Sequence, residues 1–144
     1  MLIESIIRAK SHDVTTTTLE ALVSDVAAIL YDNRIGIIVV CSEGGRVLGV
    51  LSERDIVRAV SQWPEHLPTL QVSQLYTEDP ITCTLKDETS AVLAIMNEKK
   101  FRHMPVVEHG SLIGVISIGD LLKSRIDEAG AVGQEKAWGG LDFL

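Results

Sequence analysis

The apolar positions of this chain follow first a helical and then a strand-like spacing, and this succession occurs twice. Apolar residues three or four positions apart predict an amphipathic helix, whereas a short unbroken apolar run predicts a buried strand. The helical spacing is carried by Leu22, Val26, Ile29 and Leu30 in one half and by Val92, Ile95 and Met96 in the other. The runs that follow are Ile35 to Cys41 and Met104 to Val107. Each half therefore predicts a helix followed by a strand.

Shorter patterns complete each half. A polar β-type segment precedes each helix, and a glycine-containing turn after each apolar run leads into a second strand. A closing helix then begins at Ser52 or Ser117 and ends near Val60 or Ile126. The predicted order is β-α-β-β-α, twice, an α/β (α+β) fold. The polar segments are Val14 to Leu19 and Ile81 to Leu85, and the second strands are Val47 to Leu51 and Leu112 to Ile116.

The two halves are repeats of one another. Residues 13–41 align with 79–107 without a gap and share nine identities, and residues 45–58 align with 110–123 and share five more. Self-similarity at one fixed spacing is typical of a duplicated structural unit. We therefore divide the chain into repeat 1 (1–62), a linker with two prolines (63–68), repeat 2 (69–126) and a tail (127–144). A short helix is expected at Leu70 to Tyr76, with residues 2–9 as its counterpart before the first repeat.

Composition narrows the class of protein. The 144 residues are 46% hydrophobic but only 4% aromatic, which predicts an aliphatic core. A net charge of −7 argues against binding to a nucleic-acid backbone. No apolar run approaches the roughly 20 residues of a membrane span, and the amino terminus is a poor signal peptide, so a cytoplasmic protein is expected. Cys41 and Cys83 lack metal-ligand spacing and are interpreted as core residues.

Candidate chemistry lies in the Ser-x-x-Asp pattern that opens each closing helix. The unpaired N–H groups and positive dipole end of a helix N-terminus favour a phosphate, to which the serine adds a donor. The aspartate one turn later could accept hydrogen bonds from both hydroxyls of a ribose. The same pattern is also a helix capping box, so Ser52 and Asp55 could simply start a helix. Both roles remain open for the serine.

The segments Gly49-Val50-Leu51-Ser52-Glu53-Arg54-Asp55 and Gly114-Val115-Ile116-Ser117-Ile118-Gly119-Asp120 resemble the signature of the cystathionine-β-synthase (CBS) repeat. Phe101 to Val107 is similar to the strand that enters this signature in that family. The resemblance implies two repeats packed about a pseudo-twofold axis, with clefts that hold AMP, ADP, ATP or an NAD-type ligand. It also implies a homodimer and the regulation of a partner protein, here unknown.

The repeats differ in the cations available for a phosphate. The second has Lys100, Arg102 and His103, where the first has Arg34, Gly36 and Ile37. We expect Arg102 and His103 to contact phosphate, although Arg102 could face solvent and His103 could be a core residue. Arg54 could contact the phosphate, or it could equally be a solvated surface side chain. The candidate nucleotide-binding residues are Thr16, Thr18, Ile35, Gly36, Ile37, Ser52, Arg54, Asp55, Thr82, Thr84, Lys100, Arg102, His103, Met104, Pro105, Ser117 and Asp120.

No catalytic motif or metal-ligand spacing is found in the sequence, so we expect a non-catalytic sensor of adenine nucleotides that reports energy or redox state. The alternatives are a nucleotide-acting enzyme, and an adaptor that regulates a partner without binding nucleotide. Apolar helix faces, Val57/Val60 and Leu93/Met96, predict a homodimer. The glycine-rich tail, with Trp138 and Phe143, is expected to be either a mobile segment or a dimer-contact arm.

Overall fold

The helices and strands follow the predicted order in the first half of the chain, and in the second half they do so from α4 onward. The computed structural model describes residues 1–10 and 14–128, so the predicted tail lies outside the described residues from 129 onward. The helices are α1 (Ile3–Ala9), α2 (Val23–Asn33), α3 (Glu53–Gln62), α4 (Thr89–Lys99) and α5 (Ile118–Glu128). The strands are β1 (Thr16–Thr17), β2 (Ile37–Cys41), β3 (Val47–Ser52), β4 (Thr77–Glu78), β5 (His103–Glu108) and β6 (Ser111–Ser117).

These elements form two compact units, and each unit contains one Ser-x-x-Asp motif. The first-repeat unit consists of residues 14–81 and 109–112. The second-repeat unit consists, among the described residues, of 1–10, 82–108 and 113–128. Helix α1 therefore belongs by its contacts to the second-repeat unit, although it precedes the first repeat in the chain. The unit boundaries follow packing, whereas the repeat boundaries follow sequence similarity.

The first-repeat unit is built on a four-stranded sheet in the order β1-β2-β3-β4. β1 runs parallel to β2, and the other neighbours are antiparallel. The register pairs Ile37 with Ser52, which sets the start of α3 beside the start of β2. The core is aliphatic, as the composition predicted, and its buried residues are Val23, Val26, Leu30, Ile38, Val40, Leu51, Ala59, Leu70, Val72 and Leu75.

The second-repeat unit contains the two-stranded sheet of β5 and β6, with Cys83 bridging to Val106 in parallel. Helix α1 is anchored to this unit through backbone bonds, in which Ile3 N–H donates to Asp87 O and Glu4 N–H donates to Leu85 O. The apolar face of α1 joins a core whose buried residues are Ile3, Ile6, Ile7, Cys83, Val92, Met96, Met104, Val106, Ile116 and Leu121.

Several local predictions were wrong in detail. The expected helix at Leu70 to Tyr76 is only a 3-10 turn, Val72–Gln74, while Pro64–Thr69 in the linker also forms a 3-10 helix. The β-type segment at Ile81 to Leu85 is reduced to the single bridge at Cys83, and β4 was not predicted at all. The cause is common to these cases, because short polar segments take their structure from the strand or helix beside them rather than from their own periodicity.

One expected interface residue is part of the core. Met96 is 1% exposed and packs in the interior of the second-repeat unit, so it cannot contribute to an external apolar face as predicted. Val57 and Val60 of α3 are 66% and 50% exposed, as that prediction required. No helix within residues 1–10 and 14–128 combines the length and apolar character needed to span a bilayer.

Candidate functional site

The Ser-x-x-Asp motif of the first-repeat unit forms a complete capping box. Ser52 is the N-cap of α3, and its hydroxyl accepts a hydrogen bond from Asp55 N–H at 3.2 Å. In return, Asp55 Oδ2 accepts from Ser52 N–H at 3.0 Å and from the Ser52 hydroxyl at 3.1 Å. Asp55 is buried, and its Oδ1 lies 3.7 Å from Arg58 Nη2. The alternative of a capping role is therefore realised in the fold.

The second-repeat unit repeats this arrangement with one addition. Ser117 N–H donates to Asp120 Oδ2 at 2.8 Å, and Asp120 N–H donates to the Ser117 hydroxyl at 3.1 Å. The ammonium group of Lys10 donates to the same Oδ2 at 2.7 Å. Because all of these bonds to the carboxylate fall on Oδ2, the Oδ1 atom of Asp120 has no hydrogen-bond partner within the described residues.

A backbone bond ties each helix start to the strand that carries the other candidate residues. Glu53 N–H donates to Gly36 O at 3.0 Å, and Ile118 N–H donates to Arg102 O at 2.8 Å. These bonds are equivalent in the two repeats. They bring Gly36 beside the Ser52 motif and Arg102 beside the Ser117 motif.

The side chains of Lys10, Asp120 and Arg102 all lie near enough to His103 for their charges to affect its pKa. Burial lowers the pKa of His103 below its ordinary 6.5, the charges of Lys10 and Arg102 lower it further, and the carboxylate of Asp120 opposes them. His103 is therefore neutral at pH 7 and able to accept or donate a hydrogen bond. Arg102 is exposed at the same strand end. This group of Lys10, Arg102, His103 and Asp120, which we call the basic cluster, can hold an anion next to the N-terminus of α5.

The threonines lie on the segments beside the strands. Thr16 is exposed on β1 and pairs with Val39, two residues along β2 from Ile37. Thr18, Thr82 and Thr84 are also exposed. Thr84 N–H donates to Asp87 Oδ2 at 2.8 Å, which ties up the backbone of that segment in a local turn. Among the described residues of each unit, the hydroxyls of these threonines make no hydrogen bond to the motif serine or aspartate.

Several candidate residues present their side chains to the core instead. Met104 is fully buried in the second-repeat core, and Pro105 is buried while its carbonyl accepts from Cys83 N–H at 3.0 Å. Ile35 packs against the first-repeat core, and its N–H donates to Leu30 O at 3.1 Å. The side chains of Met104 and Pro105 can therefore act only as the apolar floor of a site.

The two lysine and arginine candidates that precede the strands have a structural role. Arg34 and Lys100 occupy equivalent positions at the C-caps of α2 and α4, both in the left-handed conformation with φ of 55° and 61°. A cation at a helix C-terminus interacts favourably with the helix dipole. Both side chains are exposed, as is that of Arg54 on the first turn of α3.

Reactive or metal-binding groups are scarce in the described part of the chain. Burial raises the pKa of Cys41, and burial together with Asp87 raises that of Cys83 to about 12, so both thiols stay protonated. Among residues 1–10 and 14–128, no group of three or more metal-ligating side chains comes together.

Sequence reasoning missed Lys10 and Arg58. Arg58 donates to Leu75 O at 3.2 Å as well as approaching Asp55. Its position one turn after Asp55 could have indicated this contact, because residues three apart share a helix face. Lys10 had no such signal, since 110 residues separate it from Asp120.

Comparison with known proteins finds related sequences. A family model described as the CBS domain matches residues 4–62 and again residues 72–127. An uncharacterized 17.7 kDa protein from Acidianus ambivalens is 33% identical over 106 residues, which cover 73% of this chain and 63% of that protein. The chain thus spans less than two thirds of this curated relative.

Solved structures share the fold. The CBS-domain containing protein ATU1752 from Agrobacterium tumefaciens has a TM-score of 0.82 at 35% identity, over 88% of this chain and 100% of that one. The CBS domain pair of protein MJ0100, solved with 5-methylthioadenosine and S-adenosyl-L-methionine, has a TM-score of 0.75 at 21% identity, over 90% and 98% of the chains. CBSX2, solved with AMP, has a TM-score of 0.77 at 19% identity, over 89% and 98%.

Proposed function

Since the chain belongs to the family of CBS-domain proteins, we propose that it is a non-catalytic regulatory module that binds an adenosine nucleotide. AMP is the ligand we favour, with ADP, ATP or an NAD-type ligand as further members of the same class. The single observation that carries this proposal is the basic cluster, in which Lys10 binds Asp120 at the start of α5 while His103 and the backbone of Arg102 lie nearby.

The basic cluster has the chemistry that a nucleotide requires. Phosphate is favoured by the N–H groups and dipole at the start of a helix and by guanidinium and ammonium groups nearby. The Oδ1 atom of Asp120, to which no described residue donates, is an acceptor for a ribose hydroxyl. The buried Met104 and Pro105 supply an apolar floor. A net charge of −7 makes this local concentration of cations the more unusual.

Proteins of the same fold provide a precedent for the ligand class, because MJ0100 and CBSX2 were each solved with adenosine derivatives. At 21% and 19% identity these likenesses concern the fold alone. The choice of an adenosine nucleotide for this chain therefore rests on its own donors and acceptors.

A second candidate function is an adaptor that regulates a partner without a nucleotide. The observation in its favour is that both Ser-x-x-Asp motifs form capping boxes, which would preserve these residues in the absence of any ligand. Regulation of a partner protein is common to both candidates.

Thermal unfolding with AMP, ADP, ATP, NAD and S-adenosylmethionine, each followed by calorimetric titration, tests the proposal. A ligand present at about 100 times its Kd stabilises the fold by about 2.7 kcal/mol. In a protein of this size we expect the Tm to rise by several degrees. If no adenosine compound moves the Tm or releases heat at millimolar concentration, the nucleotide proposal is wrong and the adaptor remains.

We further propose that the module is a homodimer, paired through the face of α3 that exposes Val57 and Val60. Identical apolar patches pair most simply about a twofold axis. Light scattering should give about twice the chain mass of 15.7 kDa, and Val57→Glu should shift the protein toward the monomer. A wild-type monomer at all concentrations would contradict this proposal.

A further inference from the structure

Lys10 is held by the site and is not a freely solvated surface residue. Its ammonium group donates to Asp120 Oδ2 at 2.7 Å and to Val115 O at 2.8 Å. The Lys10 side chain is only 36% exposed, and that of Asp120 is 23% exposed. The lysine therefore joins the carboxylate to the end of β6 and neutralises its charge.

The first-repeat unit has no such contact. The residue 66 positions after Lys10 is Tyr76, whose hydroxyl donates to Glu78 Oε1 at 3.3 Å. The cation nearest to Asp55 in that unit is Arg58, at 3.7 Å from Oδ1 and on the same helix. The two aspartates thus have different partners, and among the described contacts only Asp120 is bound by a residue from a distant part of the chain.

This contact places Lys10 in competition with a ribose. One ribose hydroxyl can bind Oδ1 of Asp120, to which no described residue donates, but a second hydroxyl that binds Oδ2 must share that atom with the ammonium group or displace it. Displacement leaves a partly desolvated cation without its counter-ion, which is unfavourable unless another anion takes its place. The phosphate of a nucleotide is such an anion, because Arg102 and His103 lie in the same cluster. A nucleoside without phosphate offers nothing in exchange.

We propose that Lys10 is a specificity-determining residue that closes the Asp120 site to uncharged nucleosides and admits ligands that carry a phosphate. This inference rests on the proposed binding of adenosine nucleotides. On binding, the ammonium group leaves Asp120 Oδ2 and pairs with the phosphate, while the freed carboxylate accepts the ribose hydroxyls. The site is thereby selective for AMP over adenosine.

The test compares the binding of AMP and adenosine by calorimetric titration of two variants, Asp55→Ala and Asp55→Ala/Lys10→Met. Asp55→Ala is present in both so that the measured binding comes from the Asp120 site. Methionine keeps the length of the side chain and removes the charge. We expect Lys10→Met to weaken AMP by about tenfold, since a charge-assisted contact is lost. We also expect it to tighten adenosine severalfold, since the competitor for the carboxylate is gone. Arg8→Met is the matched control, because Arg8 is 77% exposed on α1 and its ion pair within the described residues is with Glu4.

Opposite shifts of the two ligands support the inference. It is overturned if adenosine binds Lys10→Met no more tightly than it binds the wild type, or if both ligands shift by the same factor. A second measurement needs no substitution at Lys10, because salt screens the Lys10–Asp120 pair. Raising the salt concentration should tighten the binding of adenosine and weaken the binding of AMP. A parallel loss of affinity for both ligands overturns the inference. If the wild type binds no adenosine compound in the thermal and calorimetric screen, the proposed function itself fails, and this inference fails with it; binding of other adenosine nucleotides but not of AMP overturns this inference alone.

Discussion

Removing the motif carboxylates separates a ligand-binding role from a capping role. In the double variant Asp55→Ala/Asp120→Ala, each helix loses the side chain that accepts from its own N-cap N–H, at 3.0 Å and 2.8 Å. A lost cap costs about 1 kcal/mol, so we expect about 2 kcal/mol of lost stability and a Tm lower by roughly 4–8 °C. If the carboxylates also bind the ribose, each site loses about 1.5–3 kcal/mol of binding free energy, which is about ten- to hundredfold in the Kd of AMP.

The matched control is Ser52→Ala/Ser117→Ala, which also breaks both capping boxes but keeps both carboxylates. We expect a similar loss of Tm and at most about a fivefold loss of AMP affinity, because a neutral hydroxyl donor contributes about 1 kcal/mol. Titration should also show weaker binding of 2′-deoxy-AMP to the wild type. The reasoning is refuted if the two double variants lose AMP affinity equally, or if the aspartate variant keeps the affinity of the wild type.

Three further outcomes are expected. In titrations, Arg102→Ala should weaken the binding of AMP by about tenfold and leave the affinity for adenosine nearly unchanged, because a guanidinium–phosphate contact is charge-assisted. Equal effects on both ligands would show that Arg102 does not contact the phosphate. Gly49→Ala should destabilise the fold by about 1–3 kcal/mol or more in urea unfolding, because the added Cβ would lie 2.2 Å from Thr77 O. In the control Gly44→Ala the added Cβ has no atom within 4 Å, so the free energy of unfolding should change little. The pKa of His103 is lowered in the fold, so the unfolded chain binds more protons just below pH 6.5 and stability should fall there as the pH falls. His103→Gln should remove this part of the pH dependence, and an unchanged profile would count against it.

The family and the α+β fold could be predicted from local patterns, and both are confirmed. Leu22, Val26 and the apolar run ending at Cys41 carry their periodicity within about 20 residues, and the duplication repeats it. Helical and strand spacings follow directly from backbone geometry, so they can be predicted from the sequence. The same holds for the capping boxes, whose partners are three residues apart.

Contacts between segments that are distant in the chain could not be predicted from the sequence. The attachment of α1 to the second-repeat core depends on Ile3 and Ile7 meeting residues more than 80 positions away. The burial of Met96 depends likewise on which helix face turns inward, which the unbroken apolar run of residues 91–96 in α4 does not indicate. Short segments such as β4 acquire their strand conformation only from the neighbour that they pair with.

By itself, then, the sequence determined the duplicated β-α-β-β-α order, the aliphatic core and the two Ser-x-x-Asp helix starts, because each of these depends on residues close together in the chain. Only the folded structure reveals that Lys10 binds Asp120 and that the two aspartates have unlike partners. The physical reason is that spacing along the chain determines which face a side chain shares, whereas the partner it meets there depends on how remote segments pack.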